Sequence, residues 1–160
     1  MIKSEIQIIE FDPKYTQEVY NFVWSVRTAE IGWKSEPEDL HDIESFYFKD
    51  GGNFWLAVND GEIVGTLALK NMGGNRGYLE RMYLAKKYRG TGLAQKMLAK
   101  LISFAKSIEL EEIYLATSTG PMTERAIAFY KKMGFAQVPN LPKDFFDYGE
   151  NCFMKLEIKK

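Results

Sequence analysis

The sequence predicts a mixed α+β fold: a mostly antiparallel central sheet of six to seven strands with helices on both faces. Three observations predict it. Strand-like runs at 53–58, 63–69 and 78–84 follow one another through short glycine-bearing turns, the pattern of a meander. A long amphipathic stretch follows at 91–109, with Leu93, Met97, Leu98, Leu101, Ile102 and Ala105 at helical spacing. Beyond it the chain alternates strand and helix, as layered α+β domains do.

Each element has its own warrant. Ile6, Ile8 and Phe11 alternate with polar residues and read as a first strand. Asp12-Pro13 opens a helix, with a capping residue before proline at the first helical position, and Val19, Phe22, Val23 and Val26 share its face. A second helix is expected over 37–48, ended by Gly51-Gly52. Asp60-Gly61 is a hairpin turn, and the three glycines of 71–77 form the next turn. After the long helix come a short apolar strand at 112–116 and a helix at 121–133 closed by Gly134. A short strand at 135–138, a loop at 139–149 rich in proline and aromatics, and a last strand at 152–158 complete the chain. With no linker and no repeat, residues 1–160 read as one domain.

Composition excludes several classes of function. Twenty-one basic and 22 acidic residues leave a net charge of -1, without the basic excess that marks nucleic-acid binding. Cys152 is the only cysteine and His41 the only histidine, so neither a disulfide, a structural zinc site nor a well-supported Ser/His/Asp triad is expected, and no metal is invoked. Cys152 reads as a small residue of the last strand's core. The charged N-terminal residues lack the apolar run of a signal peptide, and no membrane partner is expected. The expected setting is the cytoplasm.

The chemistry concentrates in Arg89-Gly90-Thr91-Gly92-Leu93-Ala94-Gln95, between the fourth strand and the longest helix. Small residues there let backbone approach a ligand, and the helix start offers unpaired N–H groups to phosphate oxygens. A Walker loop would need Gly-Lys-Ser/Thr, and a dinucleotide loop would need glycine at Gln95. The pattern that fits is R-x-x-G-x-A, filled by Arg89, Gly92 and Ala94. The strand Leu79-Glu80-Arg81-Met82-Tyr83-Leu84 precedes it. The helix Ala126-Ile127-Ala128-Phe129-Tyr130-Lys131-Lys132-Met133-Gly134-Phe135 follows.

In these three motifs and their order the chain resembles the GNAT family of N-acetyltransferases, from about residue 54 to 135. The resemblance implies a sheet splayed between its fourth and fifth strands, with acetyl-CoA as acyl donor and its pantetheine arm lying in the gap. Residues 89–95 would hold the pyrophosphate, and backbone groups of Met82 and Leu84 would pair with the pantetheine. A bulge in the fourth strand would aim the Met82 N–H at the thioester oxygen. Thr123 stands where the family often has an Asn that touches the cofactor, and it has one hydrogen-bonding group fewer. Lys132 is a further candidate for a cofactor phosphate, against the plainer reading of a solvated helix lysine. Thr117, Ser118 and Thr119 are hydroxyls at the same end of the fifth strand.

Tyr130 matches the family's general acid, which protonates the departing thiolate. Glu80 is the candidate base for the amine. It lies two residues before Met82, so both side chains are expected on one face of the strand. The plainer alternative is a solvated carboxylate paired with Arg81. The acceptor would be a small-molecule or peptide amine, bound between the N-terminal helices and the 139–149 loop. Trp24, Trp33, Phe145, Phe146 and Tyr148 could line that site. The acidic residues Glu36, Glu38, Asp39, Asp42 and Glu44 could attract a polyamine, although a solvated helix face explains them as simply. A homodimer is compatible with all of this. The rival readings are a catalytically silent acyl-CoA-binding or sensing module and a nucleotide-binding domain of another fold.

Overall fold

A computed structural model describes residues 5–31, 35–118, 123–146 and 149–158. Its seven-stranded sheet has the order β1-β2-β3-β4-β5-β7-β6. The strands are β1 (Gln7–Glu10), β2 (Asn53–Asn59), β3 (Glu62–Gly73), β4 (Arg76–Leu84), β5 (Glu112–Thr117), β6 (Ala136–Val138) and β7 (Cys152–Glu157). Among the described residues, α-helices α1 (Thr16–Val26), α2 (Leu93–Ser107) and α3 (Glu124–Lys132) cover it. All neighbouring strands run antiparallel except β4 and β5.

Both faces of the sheet are buried, which explains the unbroken apolar run of β2. Successive side chains of a strand point to opposite faces. Trp55 and Ala57 enter a core under α2 and α3, with Leu98, Leu101 and Ile113. Phe54 and Leu56 enter a second core under α1, with Val19, Val23, Leu40 and Tyr47. Cys152 lies in the first core, 1% exposed.

Several expected boundaries shift for identifiable reasons. The helix expected over 37–48 is two separate turns, Glu38–His41 and the wide turn Glu44–Phe48. Asp42 breaks it by leaving helical geometry, and its Oδ1 accepts the Ser45 N–H to start the second turn. β3 runs on to Gly73 because Gly73, Gly74 and Asn75 alone supply the left-handed residues that reverse the chain. The long helix begins at Leu93 because Gly92, at φ 90°, cannot be part of it. No helix among the described residues is long and apolar enough to cross a membrane.

Candidate active site

The central feature is a parting of strands. β4 and β5 pair only at Arg76–Glu112, Gly77–Ile113 and Tyr78–Tyr114. β4 then continues to Leu84 and β5 to Thr117 without pairing, so the sheet opens between them. Past Tyr78, within the stretch that has left β5, β4 bulges. Thr66 pairs with Tyr83 and Ala68 with Glu80, which leaves Arg81 and Met82 together opposite Leu67. Arg81 takes φ 56°, a left-handed conformation that a side chain adopts at a cost. The Thr66 hydroxyl, in a residue with no exposure, donates to the Arg81 carbonyl at 2.8 Å and braces the bulge.

The bulge corrects one expectation. Glu80 and Met82 do not share a face, because the extra residue resets the alternation. Met82 packs against the core under α2 and α3, whereas Glu80 reaches Tyr47 in the core under α1. Nor is Glu80 a solvated partner of Arg81. Its Oε1 is closed off from solvent and has no hydrogen-bond partner among the described residues, and its Oε2 lies 2.9 Å from the Tyr47 hydroxyl. Burial pushes the Glu80 carboxyl up to about 7, helped by the negative charge of Asp39 and opposed by the positive charges of Arg81 and Lys70.

Arg81 is instead bound to Asp39, Nε to Oδ2 at 3.0 Å and Nη2 to Oδ1 at 2.5 Å. Asp39 is only 8% exposed in its side chain. Burial works to raise its pKa, but the Arg81 hydrogen bonds and charge outweigh it and hold the carboxyl below its usual range. The Tyr47 hydroxyl, 2.6 Å from Asp39 Oδ2, joins the two carboxylates. Thus Asp39 is no part of a solvated helix face; sequence reasoning placed Asp39 in an acidic stretch and Arg81 beside Glu80, and it missed Tyr47, which joins them in this buried cluster. One signal existed: consecutive charged residues, Glu80-Arg81, interrupt the alternation of an otherwise apolar strand, as a bulge does.

The loop after β4 presents open backbone ahead of an α-helix. Gly90 and Gly92 take φ 74° and 90°, and a Cβ at either would meet nothing within 4 Å, so this backbone presents an open face. No side chain among the described residues caps α2, and the Lys96 N–H is bonded to the Gly92 carbonyl, leaving the turn of Leu93, Ala94 and Gln95 before it. Thr91 closes the approach by donating to the Tyr88 carbonyl at 2.6 Å. Arg89 turns back to the corner: its Nη2 and Nε lie 2.9 and 3.2 Å from the Leu84 carbonyl oxygen. That carbonyl is therefore already engaged on one side.

Tyr130 is 7% exposed, with its ring 5.6 Å from both Phe129 and Phe135. Burial, then the nearby Tyr83 phenol, push its pKa well up, so the hydroxyl keeps its proton at neutral pH. Thr123 precedes α3, and its hydroxyl donates to the Ser118 carbonyl, tying the end of β5 to that helix. Lys132 is exposed at the far end of α3. Trp24 is half-buried and stacks on Tyr20 at 6.3 Å, and Tyr20 in turn donates to Glu36 at 2.7 Å. His41 also meets Glu36, at 2.6 Å. Phe145 is core, whereas Phe146 is 44% exposed and stacks on Phe46 at 6.1 Å. Phe146 borders an open cavity of about 450 Å³ with Asp50, Lys70, Asn71 and Met72. Trp33, Thr119 and Tyr148 lie outside the described residues.

A strand gap, a bulge and an uncapped helix in this order can hold an extended thioester, and comparison with known proteins decides the family. The sequence profile of the Acetyltransferase (GNAT) family matches residues 16–135. The chain belongs to the GNAT family. An acetyltransferase of this family from Staphylococcus aureus superposes with a TM-score of 0.91 at 33% identity, covering 97% of this chain and 100% of that one. The PaiA N-acetyltransferase from Thermoplasma acidophilum, solved in complex with coenzyme A, shares the fold at a TM-score of 0.71 and 17% identity, over 96% of this chain and 99% of that one. N-acetylaspartate synthetase from Xenopus tropicalis is 34% identical over 102 residues, which is 62% of this chain. The chain spans only 37% of that relative's length. The GNAT family uses acetyl-CoA, and the opening between β4 and β5 in this chain is the splay of the family fold.

Proposed function

We propose that this GNAT chain, acting as one domain over its 160 residues, is an acetyl-CoA-dependent enzyme that acetylates a primary amine by direct attack in a ternary complex. The amine belongs to a small molecule, a polyamine or a peptide. The observation that carries the reading is Glu80: a buried carboxylate beside the bulge of β4, with one oxygen that has no partner among the described residues. A buried oxygen without a donor is costly, and an amine or a bridging water would relieve that cost.

Each residue then has a task. Backbone at 90–95 and the start of α2 receive the pyrophosphate, and the solvation of negative charge by N–H groups supplies affinity. Met82 and Leu84 backbone pair with the pantetheine as an added strand would. The Met82 N–H, at the bulge of β4, stabilises the oxygen on which negative charge develops. Glu80 takes the proton that an ammonium must lose before it attacks. Tyr130 gives its proton to the departing sulfur. Trp24 and Phe146 mark the acceptor side. Cys152 takes no part: its thiol is buried and burial raises its pKa, the reverse of an activated nucleophile.

Glu80→Gln tests the reading. A base must be ionised, and Glu80 is pushed up to about 7, so wild-type turnover rises as pH passes through that value. The Gln variant should lose about 10²-fold in turnover near neutral pH, with the deficit shrinking at high pH where the amine is already neutral. Normal turnover of Glu80→Gln at neutral pH removes Glu80 from the chemistry. A rise in KM with unchanged kcat would make it an anchor for the ammonium instead.

A further inference from the structure

The Tyr47 hydroxyl has one proton and two carboxylates within hydrogen-bond distance, Asp39 Oδ2 at 2.6 Å and Glu80 Oε2 at 2.9 Å. Both contacts are hydrogen bonds only if one carboxyl brings a proton of its own. Asp39 is the ionised member, because Arg81 grips both of its oxygens. Tyr47 therefore donates to Asp39, and Glu80 donates to Tyr47.

From this we infer that Tyr47 is a positioning residue of the reaction: held by the Asp39–Arg81 pair, its oxygen accepts the proton of Glu80 at Oε2 and leaves Oε1 for the acceptor. The inference rests on Glu80 being the base. It divides the two oxygens of Glu80 into a tethered one and a working one, which matches the Oε1 that has no partner among the described residues. It also makes the resting base a protonated one. Binding an ammonium beside Glu80 then sends the Glu80 proton to solvent, and the ionised carboxylate takes a proton from the ammonium as the amine attacks. Tyr47 keeps its own proton throughout, since burial and the two carboxylates push its pKa far up. Its ring is fixed for the task, with no exposure and with edge contacts to Phe46 at 4.8 Å and Phe54 at 5.4 Å.

The charged groups around Glu80 come from each neighbouring element: Asp39 and Tyr47 from the turns packed on the sheet, Arg81 from β4 itself, and Lys70 from β3. Lys70 is committed elsewhere, to the Phe46 carbonyl at 2.7 Å and Asp50 at 3.5 Å. Tyr47 is thus the group that answers most directly to the state of Glu80. A hydroxyl that simply donated to the Glu80 carboxylate would favour its charged form. One whose proton is committed to Asp39 favours the neutral form, and the two cases shift the pH profile in opposite directions.

The experiment is a pH profile of kcat/KM for wild type, Tyr47→Phe and Glu80→Gln, each with two amines of different basicity. The limb that does not move with the amine belongs to the enzyme. In folded Tyr47→Phe, with wild-type acetyl-CoA affinity, that limb should move down by about half to one pH unit, the scale of one hydrogen bond. A limb that stays in place or moves up overturns the inference. Should Tyr47→Phe not fold, ¹³C carboxyl spectra of the wild type decide, with Glu80 assigned by the signal missing from Glu80→Gln. A Glu80 still protonated at pH 6 supports the inference, and one ionised there cannot donate to Tyr47 and overturns it. An active Glu80→Gln defeats the base reading itself, whereas an inactive one beside an unshifted Tyr47→Phe limb defeats only the role of Tyr47.

Discussion

Gly92→Glu should abolish useful binding of acetyl-CoA while leaving the protein folded. Gly92 ends the loop ahead of α2 at φ 90°, and a Cβ there would meet nothing within 4 Å. The new side chain therefore has room in the free protein. It bears a left-handed strain of about 1–2 kcal/mol and little else. The large effect falls on the ligand: a carboxylate now stands at the N–H groups meant for the pyrophosphate, and like charges brought together cost several kcal/mol. Affinity measured by calorimetry should fall by at least about 10²-fold, since each tenfold corresponds to about 1.4 kcal/mol. Gly92→Ala carries the same backbone strain without the charge and should keep most of the affinity. Unchanged affinity in a folded Gly92→Glu protein would place the pyrophosphate elsewhere.

Tyr130→Phe should lower turnover by about 10²-fold with little change in acetyl-CoA affinity. The substitution keeps the ring that Phe129 and Phe135 hold at 5.6 Å and deletes only the hydroxyl. No hydrogen bond from that hydroxyl to the described residues is lost, so the fold should not suffer. A phenol pushed up by burial is protonated at neutral pH, as a donor to a leaving thiolate must be. The loss in kcat and in kcat/KM should be equal, because the interaction is made only as the thiolate departs. Wild-type turnover would return Tyr130 to the core of α3.

The candidate cofactor loop was legible in the sequence because it is local. Arg89, Gly92 and Ala94 lie within six residues, and the strand before them and the helix after them follow from periodicity alone. The splay of β4 from β5 was expected from the family resemblance rather than from any pattern in the two strands. The buried cluster proposed for the acceptor side was much less legible. Asp39, Tyr47, Glu80 and Arg81 are separated by up to 42 positions and meet only through folding. Nothing in a run of acidic residues says which one will be buried, and Asp39 looked like Glu38 and Asp42 beside it. The face assignment of Met82 failed for a related reason: the two-residue period holds only while the ladder is regular, and the left-handed Arg81 interrupts it.

The most direct test is an initial-rate study of the wild-type protein with acetyl-CoA and a panel of primary amines, following released thiol and acetylated amine together. Transfer in a ternary complex predicts amine-dependent thiol release matched by equal acetylated product, with intersecting double-reciprocal lines. Tight acetyl-CoA binding without amine-dependent release across the panel would indicate a silent binding module. Parallel lines with an acetyl group trapped on Cys152 would contradict direct transfer.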